Sequence, residues 1–221
     1  MHDTKAEFDA GTLNRLETTS TNRVQLKQHE LSNDSSTVGL WHMNESTGQS
    51  IYDYGGVANN TGQLGSTSGS DTNDPTWNTT SQKFGASALS FDGNDDYATM
   101  GDKDIFSFTY YKFTISFWMK ANNTTSPIGI IGKRGSPWEY SIYASTGGTL
   151  NFSTYTSDGA NFVYPNITAT YDTNWNNFVF TADNTLAHVY KNGILVGSSV
   201  KNANYSMSNT VMELEIGRGG N

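Results

Sequence analysis

Cysteine is absent from the 221 residues, and lysine and arginine are scarce. Without cysteine neither a disulfide nor a thiolate metal site can form, so stability must come from packing, hydrogen bonds and any oxygen-ligated ion. Thirteen lysines and arginines, scattered along the chain, stand against twenty-one aspartates and glutamates, for a formal net charge of -8. A nucleic-acid surface needs concentrated positive charge, so we do not expect a nucleic-acid partner.

Long apolar runs are also missing, so we expect no membrane span. The N-terminus, MHDTKAEFDAGT, lacks the basic and apolar regions of a signal peptide, so export information was either removed or never part of this chain. Only 15% of the residues are charged, whereas asparagine, threonine, serine and glycine are abundant. That composition is typical of an extracellular or cell-surface β protein.

Helical periodicity is absent, and short strand patterns take its place. Val38 to Met43 predicts the first strong strand, and from Phe84 onward β-branched and aromatic runs alternate with turn residues. Asn192-Gly193 predicts a two-residue type I′ hairpin, because both positions of that turn need positive φ. This spacing predicts an all-β fold, a two-sheet antiparallel sandwich. The later strand patterns are ALSFD, KFTISFWMK, IGIIGK, EYSIYAS, TLNFSTY, NFVFTAD, LAHVYKNG, ILVGSSV and VMELEIG.

The segment before the sandwich reads differently. Residues 1 to 36 are polar and predict an N-terminal arm, and residues 37 to 221 predict the sandwich. Asn22 to Gln28 alternates polar and apolar residues, which indicates a short strand, although a disordered leader with two aliphatic residues fits equally well. Residues 51 to 81 are so rich in glycine and asparagine that they predict a long loop region.

A cluster of carboxylates follows the apolar run at Phe84 to Phe91. Asp92, Asp95 and Asp96 come directly after that run, and Asp92-Gly93 is a turn pair. Carboxylate oxygens on a loop are what calcium prefers, so these residues are a candidate metal site. The alternative is that Asp92 forms an Asx turn and the other two stay solvated.

Aromatic residues near turns suggest a second kind of site. A pyranose stacks its C–H face on an aromatic ring while its hydroxyls seek amides and acids, so an exposed aromatic platform predicts sugar binding. For each such residue the alternative is core packing or ordinary loop cover. The candidates are Trp77, Trp138, Tyr140, Tyr155 and Tyr164.

Taken in order, these motifs resemble the laminin G-like modules of the concanavalin A-like lectin/glucanase superfamily. The resemblance runs from Val38 to about Gly217 through GLWHMNE, YDYGGVANNTGQL, KFGASALSFDGNDDYA, FTISFWMK, IIGKRG, WNNFVFTAD, HVYKNGILVG and LEIGRG. It implies a jelly-roll sandwich with a ligand or ion site at loop ends or on the concave sheet. It also implies that Asp53 and Asn59, in YDYGGVANN, match a loop that resembles a calcium-binding turn.

The chain departs from that family after the IG strand, where members normally continue with a further acidic strand. An unpaired edge would result, and proteins cover or pair such edges. We therefore expect Asn22 to Gln28 to complete the sheet, either within its own chain or in a neighbouring copy, which would build a filament. The alternative is that the sequence is a fragment of a longer polypeptide.

Catalysis is not expected from the carboxylates. Glu213 and Glu215 alternate as in glucanases of this superfamily, but Gly217 stands where the third carboxylate of that motif would be. We expect the two glutamates to be solvated or charge-paired. The histidines show no metal-ligand spacing; they are His2, His29, His42 and His188.

Nine asparagines begin the motif N-x-S/T without proline, which permits glycosylation of a secreted protein. Together these features predict a non-catalytic extracellular module for adhesion or for binding a glycan or a surface protein. A structural subunit of an extracellular filament is the alternative. The nine asparagines are Asn33, Asn44, Asn59, Asn78, Asn122, Asn123, Asn151, Asn166 and Asn204.

Overall fold

The computed structural model describes residues 30–56, 59–108, 112–135, 138–156, 162–164, 166–207 and 209–218, together with the backbone of two strands nearer the N-terminus. Throughout these residues the regular structure is β-strand, with a single 3₁₀ turn at Asp104–Phe106 and no α-helix. No helix in the described part of the chain is long and apolar enough to cross a membrane. The predicted all-β class is confirmed.

The strands are numbered in chain order. They are β1 (Asn14–Thr18), β2 (Val24–Gln28), β3 (Ser50–Ile51), β4 (Gly62–Leu64), β5 (Thr76–Asn78), β6 (Ala88–Ser90), β7 (Ala98–Thr99), β8 (Phe113–Met119), β9 (Ile128–Lys133), β10 (Tyr140–Ser145), β11 (Thr149–Thr154), β12 (Ile167–Thr170), β13 (Asn176–Ala182), β14 (Leu186–Lys191), β15 (Ile194–Val200) and β16 (Leu214–Ile216).

Two large antiparallel sheets form the sandwich. One has eight strands in the order β12-β11-β10-β9-β16-β7-β4-β3, and the other has four in the order β15-β14-β13-β8. Alternation puts apolar residues between the sheets, where Phe152 of β11 packs against Phe180 of β13 with ring centroids 5.1 Å apart. Burying one such side chain contributes roughly 1.5–3 kcal/mol, so this alternation drives the two sheets together.

The Asn192-Gly193 turn joins β14 to β15 as predicted. Both residues have positive φ, 51° and 81°, and Lys191 pairs directly with Ile194 across the turn. These are the features of a type I′ hairpin, in which glycine tolerates the left-handed backbone without a steric penalty.

The predicted strand at Val38 to Met43 is wrong. Only Trp41 forms an isolated bridge, to Asp53, and Met43 turns the backbone with φ at 55°. The Asp53 carboxylate, thirteen residues further along the chain, accepts a hydrogen bond from the Leu40 N–H at 2.9 Å and takes the place of a neighbouring strand. The predicted loop over residues 51 to 81 is wrong in part, because the short β4 and β5 fall within it.

In the N-terminal arm, β2 lies inside the predicted strand Asn22 to Gln28. It pairs antiparallel with β1 in a two-stranded sheet of its own. Across the described residues neither strand hydrogen-bonds to the two large sheets, so the expected completion of the sandwich within the chain is not seen there. Pairing with a second copy stays a prediction, and the rest of residues 1 to 29 lies outside the described residues.

Candidate functional site

The outward side of the eight-stranded sheet carries polar residues that are nevertheless buried. On β10 and β11, Ile142 and Phe152 point into the core, so Ser141 and Ser153 point outward, and they face each other across the pair of strands. Their exposure is 0% for both, and that of Asn151 on the same side is 6%. We call this outward surface, which includes Ser141, Asn151 and Ser153, the polar face. Buried polar groups are normally hydrogen-bonded, so the partners of these side chains have to be identified.

Arg134 is the centre of the polar face. It follows β9 directly, and its guanidinium lies 4.6 Å from the ring centroid of Trp138 and 6.0 Å from that of Tyr143. Its Nε and Nη1 atoms are buried and have no hydrogen-bond partner among the residues that the structure describes. Burial lowers the pKa of Arg134, against the opposing effects of Tyr155, Tyr143 and Glu215. The group stays protonated at neutral pH, so it presents a cation whose hydrogen bonds are not made.

An aromatic rim borders this cation. Trp138 and Tyr155 meet edge to face with centroids 5.1 Å apart, and Tyr155 lies 5.2 Å from Phe162. Phe162 is exposed, and burial raises the pKa of the Tyr155 phenol. A rim of this kind offers ring faces and edges beside polar groups, the composition expected of a sugar platform.

A ladder of hydrogen bonds runs across the polar face. The Ser153 hydroxyl donates to Asn166 Oδ1 at 2.9 Å, and Asn166 Nδ2 donates to Asn151 Oδ1, also at 2.9 Å. Asn151 Nδ2 continues to the Ser145 hydroxyl. Ser141 Oγ, on the strand that pairs with β9, is buried with no hydrogen-bond partner in the described ranges. The ladder therefore fixes the amides in place and does not include this hydroxyl.

A buried ion pair holds the loop that carries Arg134 and Trp138. Lys133 directly precedes Arg134, and Glu139 directly follows Trp138. Both side chains point to the inner side of the sheet, where they are fully buried. The Lys133 ammonium lies 3.2 Å from Glu139 Oε1 and 3.0 Å from Asp102 Oδ1. This pair ties the two ends of the loop together and positions the residues of the polar face.

Glu215 completes the polar face on β16. Arg218 donates to both of its carboxylate oxygens, from Nε at 3.3 Å and from Nη2. Burial raises the pKa of Glu215, and Arg218 acts against that rise. Glu213 accepts a hydrogen bond from the Thr99 hydroxyl at 2.7 Å. The expectation that these glutamates are charge-paired or solvated therefore agrees with the geometry.

The other predicted aromatic residues do not join this site. Tyr140 and Tyr164 cannot serve as an exposed platform, because both are buried. Tyr140 shares the inward side of β10 with Ile142 and stacks on Phe108, and the Tyr164 hydroxyl donates to the carbonyl of Asp183. Trp77 lies on β5, where its indole N–H donates to the Gly48 carbonyl at 2.9 Å beside a separate pocket.

The predicted metal ligands fall into two places. Asp92, Asp95 and Asp96 each bring a carboxylate oxygen within 4.8 Å of the others. The Asn94 N–H donates to Asp92 at 2.8 Å, which is the Asx turn that the sequence offered as the alternative. Burial raises the pKa of Asp96, and the charges of Asp92 and Asp95 add to that effect. A calcium site here stays a prediction.

Asp53 and Asn59 have structural roles. The Asp53 carboxylate accepts from three backbone N–H groups, those of Leu40, Gly55 and Asn60. Asn59 Oδ1 accepts from the N–H and the hydroxyl of Thr61. These hydrogen bonds hold the loop between β3 and β4 in place. Calcium binding by Asp53 and Asn59 stays a prediction.

The predicted glycosylation sites differ in access. Asn151 is buried within the ladder, so the folded chain does not present it for modification. Glycosylation at the other positions stays a prediction. Exposed among the sequons are Asn33, Asn59, Asn122, Asn123, Asn166 and Asn204.

Comparison with known families places the chain. Residues 92–221, more than half of the sequence, match the laminin G family model described as the concanavalin A-like lectin/glucanases superfamily. The chain belongs to that superfamily. No curated protein matches it.

Solved structures share the fold at low sequence identity. The binding domain of Paraclostridial Mosquitocidal Protein 1 is 14% identical, with a TM-score of 0.64 over 84% of this chain and 45% of that one. The binding domain of botulinum neurotoxin DC in complex with SialylT is 13% identical, with a TM-score of 0.56 over 84% and 44%.

A third structure comes from a study reporting that cell entry of botulinum neurotoxin type C depends on interaction with two ganglioside molecules. It is 15% identical, with a TM-score of 0.59 over 84% of this chain and 44% of that one. The chain thus spans less than half the length of these structures. Such likeness shows a jelly-roll fold, and confirms the sandwich that the sequence predicted.

Proposed function

We propose that this protein is a non-catalytic, extracellular carbohydrate-binding module whose site is the polar face around Arg134, Trp138 and Tyr155. Carbohydrate sites combine ring surfaces with fixed donors and acceptors, because a sugar presents C–H faces and hydroxyls together. The aromatic rim and the amide ladder supply these two components side by side.

The observation that carries the proposal is the set of unmet donors. Arg134 Nε and Nη1 and Ser141 Oγ are buried and have no hydrogen-bond partner within the described part of the chain, although nearly all buried polar groups in proteins are paired. Leaving such a group unpaired costs about 1–3 kcal/mol, and more when it is charged. A ligand with hydroxyl or acidic oxygens would recover that energy.

The structural neighbours support this function only in a general way. Two of them are linked to SialylT or to gangliosides, but the chain matches under half of their length. Glu215, bound on both oxygens by Arg218, supports a non-catalytic role. The filament alternative stays a prediction, which light scattering on the intact chain and on a version without residues 1 to 29 would test.

The proposal is tested by screening a glycan array and then measuring affinity for the best glycan by calorimetry. Trp138→Ala should weaken binding several-fold, because it removes the ring face on which the sugar would stack. Trp118→Ala is the matched control, because Trp118 lies on β8 of the other sheet and packs against Phe84.

Three results would overturn the proposal. The first is that no glycan binds, the second is that Trp118→Ala weakens binding as much as Trp138→Ala, and the third is that bound glycans are cleaved on incubation. Circular dichroism of each variant verifies that the fold is intact.

A further inference from the structure

The two carboxylates next to the polar face, those of Glu215 and Glu139, bind cations other than Arg134, and Glu139 Oε2 is buried without a partner among the described residues. Both carboxylate oxygens of Glu215 accept hydrogen bonds from Arg218. Glu139 lies on the inner side of the sheet, where one of its oxygens accepts from Lys133 and from the N–H and hydroxyl of Thr210. Over the described residues, Arg134 makes no ion pair with any acidic side chain.

A partly buried guanidinium that pairs with none of the acidic side chains the structure describes is unusual in a chain with an excess of acidic residues. The formal charge of -8 leaves many carboxylates that could have been placed beside it. Buried charges are normally paired, since an unpaired one is poorly solvated. Two aromatic rings instead flank this cation, those of Trp138 and Tyr143, and the Ser141 hydroxyl on the adjacent β10 is also without a partner as far as the described residues show.

We infer that the polar face selects an acidic sugar, one whose carboxylate or sulfate group takes the free donors of Arg134 while its ring packs on Trp138 and Tyr155. This inference rests on the proposed function and adds the class of ligand. Arginine suits the role because its planar, weakly hydrated guanidinium binds oxyanions and stacks on aromatic rings at the same time.

The ring contacts and the charge contact have separable effects. Stacking on Trp138 and Tyr155 acts on any pyranose, acidic or neutral, because it uses the C–H face. The Arg134 contact acts only on the sugar that carries the anion. Removing Arg134 should therefore abolish the preference for acidic sugars while leaving weak binding of neutral sugars intact.

The test uses the full chain and pairs of probes that differ only in the acidic group. Suitable pairs are sialyllactose with lactose, trigalacturonic acid with its methyl ester, and a sulfated disaccharide with its desulfated form. Calorimetry should give an affinity at least about tenfold higher for the acidic member of one or more pairs, because a hydrogen bond to a charged group is worth at least one such factor. The three pairs distinguish a carboxylate from a sulfate.

Variants at Arg134 then assign the preference. Arg134→Met should lower the affinity for the acidic member to that of the neutral member and leave the neutral member within about twofold. Arg134→Lys keeps the charge but loses the planar donors, so it should fall between these values. Lys120→Met is the control, because it removes the same charge from an exposed site at the end of β8.

Two outcomes overturn the inference. If neutral and acidic members bind equally, or if Arg134→Met keeps the acidic preference, Arg134 does not select the ligand, while binding that depends on Trp138 would leave the proposed function intact. If neither member of any pair binds, the proposed function fails as well. Should Arg134→Met fail to fold, Arg134→Lys and the loss of acidic preference at high salt decide the question.

Discussion

The outward surfaces of the two sheets differ in a way that the fold alone does not require. On the four-stranded sheet the outward side carries apolar residues that remain open to solvent, with Leu195 at 50% and Val200 at 67% exposure. On the eight-stranded sheet the outward side carries serines that are completely covered, Ser141 and Ser153 at 0%. Exposed apolar residues make up much of any protein surface, whereas buried polar groups without partners are rare.

This difference makes the polar face the better candidate for a binding surface in a sandwich whose sequence shows no catalytic motif. The four-stranded sheet closes the core and presents a surface whose apolar groups need no partner. The polar face holds a cation, hydroxyls and amides in fixed positions and leaves some of them unused. Preorganised donors of this kind give specificity to a binding site.

The largest effect is expected from breaking the ion pair beneath the polar face. Lys133→Met leaves the fully buried Glu139 without its cation and should destabilise the protein by about 3–5 kcal/mol in urea unfolding. Lys191→Met is the matched control. Lys191 lies on β14 of the four-stranded sheet and pairs with the exposed Asp172 at 3.8 Å, so its substitution should cost less than about 1 kcal/mol. Equal losses for the two variants would remove the distinction between the two surfaces.

A smaller effect separates the two outward surfaces directly. Ser153→Ala removes the first donor of the ladder and leaves Asn166 without that bond, which should cost about 1 kcal/mol and weaken glycan binding. Leu195→Ser changes an exposed residue of β15 and should alter unfolding free energy by no more than about 0.5 kcal/mol. Urea unfolding and calorimetry measure both. Glycan binding that falls for Leu195→Ser and not for Ser153→Ala would reverse the assignment.

The smallest effect concerns pH. Asp183, in the turn after β13, accepts from the N–H of Leu186 and from the N–H and hydroxyl of Thr185, and these bonds lower its pKa to about 2. Its contribution to stability is present above the ordinary aspartate pKa near 4 and is lost as pH falls toward 2. Asp183→Asn should therefore show a smaller drop in thermal midpoint between pH 5 and pH 2.5 than the unmodified chain.

Thr185→Val tests the cause of that shift, because it removes only the hydroxyl donor and should give an intermediate drop. Identical drops in all three proteins would contradict the assignment.

Glu215 on the polar face has the opposite pH dependence, since burial raises its pKa. Its contribution is present below the ordinary glutamate pKa and is lost as pH rises through the folded-state value.

Local patterns predicted most of the sandwich. Alternation identified β8 to β11 and β13 to β15 but not the four-residue β12, and the Asn192-Gly193 pair identified one turn, because such signals are contained within a few neighbouring residues. The strand predicted at Val38 to Met43 was wrong because a distant carboxylate, Asp53, takes the place of a strand neighbour. The three-residue β4 is too short to show alternation at all.

The candidate site was only partly predictable. Trp138 and Tyr155 stood out as aromatic residues near turns, but Tyr140 and Tyr164 carried the same signal and are buried. Arg134 gave no local signal. Its role depends on β9 lying between β10 and β16, although β16 is far from both in sequence. It also depends on the hydrogen bond by which Arg218 pairs with Glu215. Such pairings are set by topology and are not visible in a linear pattern.

Carbohydrate binding at the polar face can be told apart from binding elsewhere on the surface. The most direct measurement is a two-dimensional NMR titration of the intact, isotope-labelled chain with the best glycan from the array. We expect the signals of the Trp138 indole and of the amides of Ser141, Ser153 and Tyr155 to shift and saturate together. Shifts confined to Leu195 and Val200, or to the Asp92 to Asp96 loop, would contradict it.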